Sequence, residues 1–158
     1  MDLIYEFFIH GEPEQIWNVI VSGQETKKVY FGSEIQSTFE IGSPVKYVGP
    51  GLDGPSTVHI HGKVLKYEPL KTFVHSYKGG NAYLGGDPRH KESRVSYTLD
   101  LIGSCTKLTL IHDHWSEGDP SYESTKKGWW MLLSSIKSLV ETGKPLDFSL
   151  GLLHDYTE

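Results

Sequence analysis

The sequence predicts an α+β domain in which a single antiparallel sheet packs against one long helix. The longest helical pattern runs from Asp119 to Gly143, with apolar residues at Trp129, Leu132, Leu133, Ile136, Leu139 and Val140. That i, i+3, i+4, i+7 spacing paints one face of a helix. Between Glu34 and Trp115 the period changes to two, as strands require. A helix that is apolar on one side only must lay that side on another element, and a preceding run of strands supplies a sheet.

Leu3–His10 is mostly apolar and aromatic, interrupted by Glu6, and reads as the first strand; Gly11-Glu12-Pro13 breaks it. Pro13–Ile20 reads as a short helix with Ile16, Trp17 and Ile20 on one face. After Ser22-Gly23, Gln24–Phe31 reads as a second short helix, with Val29, Tyr30 and Phe31 turned inward, or alternatively as an ordered loop after a single helix. Six strands follow: Glu34–Phe39, Pro44–Val48, Thr57–Tyr67, Lys71–Tyr77, Arg94–Ile102 and Thr106–Trp115. In the fifth, Val95, Tyr97, Leu99 and Leu101 alternate with Arg94, Ser96, Thr98 and Asp100, the mark of a sheet with one wet face. Glu68–Lys71 is a turn and Gly103-Ser104 a tight hairpin connection. The last helix is bounded by Asp119-Pro120, a capping residue and a first-turn proline, and by Gly143 with Pro145 beyond it.

Two connections stand out. Gly49–Pro55 is rich in turn formers, and Lys78–Lys91 is longer than an ordinary hairpin loop. The second carries Gly79-Gly80 and Gly85-Gly86 around Tyr83-Leu84; it reads as a surface loop, with a glycine-hinged lid as the alternative.

The chain of 158 residues is read as one domain, 1–158, with 146–158 a C-terminal tail. Its net charge of −5, without a basic stripe, argues against a nucleic-acid partner. The single cysteine, Cys105, excludes an internal disulfide framework and a cysteine-built zinc site, and fits a reduced, cytoplasmic compartment. The start, Met1–Glu6, lacks the basic segment of a secretory signal. No apolar run approaches the roughly 20 residues that span a bilayer, so no membrane is expected.

Four motifs in order carry a resemblance. They are Ile9-His10-Gly11-Glu12-Pro13-Glu14-Gln15-Ile16-Trp17, Gly62–Pro69 (GKVLKYEP), Thr106–His112 (TKLTLIH), and Gly128-Trp129 through Leu133, Ile136-Lys137, Leu139 and Glu141-Thr142-Gly143. On these the chain resembles the SRPBCC (START-like, helix-grip) superfamily over residues 3–145. Within it, the chain is similar to the branch named after the activator of the heat-shock-protein-90 ATPase. The resemblance implies a curved antiparallel sheet, in order β-α-α-β6-α, gripping the C-terminal helix with a cavity between. It also implies a small apolar ligand, since members bind lipids, polyketides or flavonoid-like compounds. The chain departs from the common pattern at Tyr47, where relatives often have tryptophan, and in the longer Lys78–Lys91 loop.

The expected cavity wall is Trp17, Tyr47, His75, Tyr77, Tyr97, His112, Trp130 and Leu133. Trp129 falls mid-stripe and is assigned to the core, Trp130 at the stripe's edge to the cavity. Gly128, inside the helix, is expected to permit close approach of a strand or to mark a bend. His112 shares the parity of Leu108 and Leu110 and is expected to face inward. His112 and His75 are the candidate acid–base groups, since an imidazole titrates near neutrality. His59-Ile60-His61 and His112-Asp113-His114 each put two histidines on one strand face, but their strands are separated by two others, so no metal is expected. No cofactor motif, nucleophile elbow or phosphate loop is present.

The leading functional reading is a protein that binds a small hydrophobic or aromatic molecule between sheet and helix, and a homodimer is possible. The rival readings are a cyclase- or hydrolase-like enzyme using His112 or His75, and a co-chaperone-like interaction module.

Overall fold

A computed structural model describes residues 1–80 and 87–148 of the chain. Its elements are β1 (Leu3–Ile9), α1 (Pro13–Val21), α2 (Gly23–Val29), β2 (Glu34–Gln36), β3 (Pro44–Gly51), β4 (Gly54–Glu68), β5 (Thr72–Gly79), β6 (Ser93–Ile102), β7 (Cys105–Asp113) and α3 (Tyr122–Thr142). The seven strands form one antiparallel sheet in the order β1-β7-β6-β5-β4-β3-β2. The α+β architecture read from the sequence is the one observed. No helix among the described residues is long and apolar enough to cross a membrane.

Alternation along the strands decides which face is buried. In β7, Thr106, Leu108, Leu110 and His112 are buried while the residues between them are half-exposed. The register then builds rows across the inner face. One row runs Tyr5, Leu110, Tyr97, Phe73 and Tyr67 across β1, β7, β6, β5 and β4. The neighbouring row is Leu3, His112, Val95, His75 and Val64. These rows, with Ile16 and Ile20 of α1 and Trp129, Leu132, Leu133 and Ile136 of α3, make the core.

Close approach fixes one position in β4. A Cβ on Gly62 would overlap the Ser76 carbonyl of β5, where the Ser76 hydroxyl also accepts the Lys63 N–H at 2.9 Å. The β4–β5 register shifts between Val64 and Lys66, a bulge that leaves Leu65 exposed.

Several ends differ from the sequence reading. β2 stops at Gln36, and Phe39 lies at φ 61, a left-handed conformation no strand contains. β7 stops at Asp113 for the same reason, since His114 has φ 61. Gly49–Pro55 is a hairpin rather than a loop: β3 continues to Gly51, β4 starts at Gly54, and only Leu52-Asp53 turn. α3 begins at Tyr122, with Ser121 as its N-cap. Asp119 acts two residues upstream, its carboxylate accepting the Ser121 N–H at 2.9 Å and hydroxyl at 2.8 Å. The other end is as read: Gly143 caps the helix at φ 83, its N–H on the Leu139 carbonyl at 2.9 Å. Residues 81–86 of the loop read as a surface loop or a lid, and the end of the expected tail from 149 onward, lie outside the described residues.

α3 runs along β1, the first strand of the sheet. The Tyr5 hydroxyl donates to the Lys126 carbonyl at 2.8 Å, Lys137 Nζ to the Phe8 carbonyl at 2.5 Å, and the His10 N–H to Glu141 at 2.8 Å.

Candidate functional site

A cavity of about 250 Å³ lies where the end of α2, the inner face of β3–β5 and the first half of α3 meet. Tyr30, Phe31 and Ser33 come from the turn after α2, and Tyr47, His59, Ile60 and Tyr77 from the sheet. Ser124, Thr125, Gly128, Trp129 and Leu132 come from α3. Their spacing of i, i+1, i+4, i+5, i+8 is one helix face. It overlaps the core stripe at Trp129 and Leu132 and extends it toward polar residues.

The apolar walls are rings. Tyr30 stacks on Tyr47 with centroids 4.6 Å apart and planes 19° from parallel. Trp129 stands edge-on to Tyr30 at 6.3 Å and to Tyr97 at 6.2 Å. The Tyr30 and Tyr97 hydroxyls are in close contact. Tyr77 lies between this cavity and a neighbouring one of about 220 Å³, whose wall adds Gly79, His90 and Ser121. The Tyr77 hydroxyl bonds Thr125 of α3, which lines both cavities.

Behind the rings runs a chain of hydrogen bonds whose direction is fixed by chemistry. The Trp129 indole N–H can only donate, and it meets His112 Nδ1 at 3.0 Å. Nδ1 is therefore the acceptor and the imidazole proton sits on Nε2, which donates to Ser93 Oγ at 2.7 Å. Ser93 in turn donates to the Tyr77 carbonyl at 3.2 Å. Burial, reinforced by nearby His75, lowers the His112 pKa to about 3. The ring is neutral with both nitrogens engaged, packed at 4.5 Å from Tyr77 and 4.1 Å from Trp115. His75 is held alike. Its Nδ1 donates to the Ser76 carbonyl at 2.7 Å, Nε2 faces the Tyr47 hydroxyl at 3.5 Å, and burial lowers its pKa to about 4. Burial raises the phenols of Tyr47, Tyr77 and Tyr97 well above their ordinary value, so each stays a neutral hydroxyl.

A second buried pair closes the site near the start of α3. The Gly79 N–H donates to His90 Nε2 at 2.8 Å, which places the ring proton on Nδ1, 3.1 Å from Asp119 Oδ1. Burial works to raise the Asp119 pKa. The Ser121 N–H and hydroxyl and His90 outweigh it, and the carboxyl stays below its ordinary value. This pair ties residues next to the 78–91 connection to α3. Among the described residues no group of three or more His, Cys, Asp or Glu is placed to hold a metal ion.

Of the eight residues expected on the wall, Tyr47 and Tyr77 line the cavity. His75, Tyr97 and His112 stand directly behind it, holding the lining rings. Three sit elsewhere. Trp17 packs on Tyr67 at 5.5 Å, and Leu133 is fully buried in the core. Trp130 is 53% exposed and lies over Tyr5 at 4.8 Å and Phe7 at 5.8 Å. Trp129 is in the core as expected and also walls the cavity, while Trp130, expected on the cavity, faces out beside β1. Trp129 and Leu132 of the apolar stripe meet both cavity and core, and Leu133 and Ile136 meet the closed core alone.

Gly128 corrects another expectation. A Cβ there would meet nothing within 4 Å, so no strand approaches it; the space is cavity. A mid-helix glycine costs about 1 kcal/mol against alanine, and here no packing offsets it. Tyr30 and Phe31, missed as wall residues, had a signal in the apolar run at the end of α2. Thr125 and Ser124 had none, because a polar pair on a helix reads as solvent-facing.

Comparison with known proteins agrees with this fold. The chain is similar in fold to the Aha1 dimer from Colwellia psychrerythraea, with a TM-score of 0.71 and 22% identity over 91% of this chain and 98% of that one. It is similar to an HSP90 activator from Plasmodium falciparum, with a TM-score of 0.69 and 17% identity over 88% and 95% of the two chains. It is also similar to CalU16 from Micromonospora echinospora, with a TM-score of 0.70 and 17% identity over 98% and 82%. A search of curated proteins finds no match. The family described as activator of Hsp90 ATPase homolog 1-like protein matches residues 10–141. That span takes in six of the seven strands and nearly all of the gripped helix, and the chain belongs to the activator of Hsp90 ATPase homolog 1-like family.

Proposed function

We propose that this protein binds a small aromatic molecule in the cavity between α3 and the sheet. The observation that carries the reading is the cavity's wall: stacked Tyr30 and Tyr47, Tyr77 and Trp129 around about 250 Å³. That volume is at the lower edge of the roughly 300–1,000 Å³ of small-molecule sites, so the ligand is compact. Each 100 Å² of its apolar surface removed from water contributes about 2.5 kcal/mol before ordering costs. His59, Thr125 and Ser124 supply polar contacts at the edge.

Binding rather than turnover is the reading the hydrogen bonds support. A general acid or base needs a nitrogen within reach of its substrate. Both nitrogens of His112 are engaged inside the fold, and His75 is buried behind Tyr47. For location we propose the cytoplasm, on the single cysteine.

Fluorescence titration with N-phenylnaphthylamine tests the reading. The protein should bind the probe with a blue-shifted gain in emission, and Ile60→Trp, which fills the cavity from the sheet side, should abolish it without unfolding the chain. Absence of binding, or equal binding by the Ile60→Trp variant, would sink the proposal. Native mass spectrometry of the same sample reads the assembly. The Colwellia relative was solved as a dimer, and a homodimer of this chain should appear at twice its mass; a monomer throughout the micromolar range excludes it.

A further inference from the structure

Two residues on the cavity wall break local rules, in opposite directions. After α2 the chain turns with Phe31 at φ 52, and the Gly32 N–H reaches back to the Lys27 carbonyl at 3.2 Å. The left-handed residue of such a helix end is ordinarily glycine, because a side chain there is strained. The Phe31 ring gains no ring contact in return among the described residues. It is 51% exposed and stands between the aromatic cavity and a second one of about 270 Å³ beside Lys28, Ser135 and Leu146. Phe39 shares the conformation, but its ring is packed on Tyr67 and Phe73. Leu70 and His114, the other such residues, line none of these cavities. In α3 the exchange is reversed: Gly128 occupies a mid-helix position that favours alanine, and what it leaves is open cavity.

A chain that puts phenylalanine where glycine is easy, and glycine where alanine is easy, has traded stability for the shape of one space. We infer that Phe31 and Gly128 are the specificity-determining residues of this cavity, which takes a flat, unbranched aromatic of about two fused rings. Gly128 lets a ring lie directly on the α3 backbone beside Trp129. Phe31 covers the ring's edge at the mouth. A globular apolar ligand of the same size would not fit the slot that a missing side chain and the Tyr30–Tyr47 stack leave. The inference rests on the binding reading above and adds the ligand's shape and the residues that select it.

Phe31→Gly and Gly128→Ala test it, titrated with N-phenylnaphthylamine while thermal unfolding is followed. Both variants should hold or raise Tm, by about 2–4 °C for a chain of this size, and both should bind the probe about tenfold more weakly, near 1.4 kcal/mol. Naphthol should displace the probe from the natural protein and adamantanol should not. Unchanged affinity in both variants, or displacement by adamantanol as good as by naphthol, overturns the inference. Loss in one variant only overturns the role of the other residue. If the natural protein binds no probe, the binding reading falls and this inference with it. If it binds, Ile60→Trp blocks, and Phe31→Gly and Gly128→Ala bind normally, this inference alone falls.

Discussion

His112 illustrates how a residue type can mislead about role. Its parity on β7 points it inward, and it is inward. Its function in the fold is to accept from Trp129 and donate to Ser93, which sets the angle of the indole that walls the cavity. His112→Phe keeps the bulk and removes both bonds, leaving the Trp129 N–H buried without an acceptor. The expected cost is about 2–3 kcal/mol in urea unfolding, since an orphaned buried donor alone costs roughly 1–3 kcal/mol. A loss below about 1 kcal/mol would show that the chain of bonds is not holding the ring. Which of Trp129 and Trp130 lines the cavity was not legible in the sequence for a related reason. Adjacent helical residues point about 100° apart, and which of the two meets a cavity depends on the helix's crossing angle over the sheet, which period alone does not encode.

At the scale of the element, α3 carries two glycines with opposite consequences. Gly143 ends the helix at φ 83 with open space around its Cβ position. Gly143→Ala therefore meets no clash and costs only left-handed strain, about 1–2 kcal/mol. Circular-dichroism melts should show Tm falling by a few degrees, the opposite sign to Gly128→Ala in the same helix. An unchanged or raised Tm for Gly143→Ala would mean the cap is not needed. The C-terminal glycine was readable from the sequence because capping is local chemistry. The N-terminus was not, since Asp119 is drawn away from capping by its buried partner His90, 29 residues earlier in the chain. The succession of strands along the chain and their parity were readable from alternation; positive φ at Phe39, beyond β2, and at His114, which follows β7, is something alternation does not foresee.

For the whole molecule, the two buried imidazoles set the response to acid. An unfolded histidine titrates near 6.5; in the fold His75 and His112 are lowered to about 4 and about 3. The folded state thus holds fewer protons than the unfolded one in this window. Their contribution is complete above about pH 6.5 and is lost as pH falls toward 4 and then 3. Asp113, held down chiefly by Arg94, and Asp119 act in the same direction, their contribution lost only below the ordinary carboxylate range. Stability by urea titration should be about 2–4 kcal/mol lower at pH 5 than at pH 7. A flat profile across that interval would place the imidazoles in contact with water. Protonating His112 in the fold also removes the acceptor of the Trp129 N–H, so affinity for an aromatic probe should hold from pH 7 to 5 and decline only as pH approaches 3.

The fold was open to sequence reading because burial patterns repeat along each strand and along α3. The site was not, because a cavity is the space left where elements miss one another. Tyr47 and Tyr77 were found because they alternate inward on strands; Thr125 and Gly128 were not, because neither polarity nor small size signals a wall.

The bonds from α3 to β1 have a further consequence. A strand at the rim of a sheet offers unpaired amides and carbonyls on which another chain can add its own strand. On β1 that rim is occupied by the helix of the same molecule. The Phe8 carbonyl is taken by the Lys137 ammonium and the His10 amide just beyond by the Glu141 carboxylate. Charged side chains on a rim also repel a flat apolar newcomer. These two bonds work against copies of this protein zipping together through the Phe8–His10 end of that rim into continuous sheets.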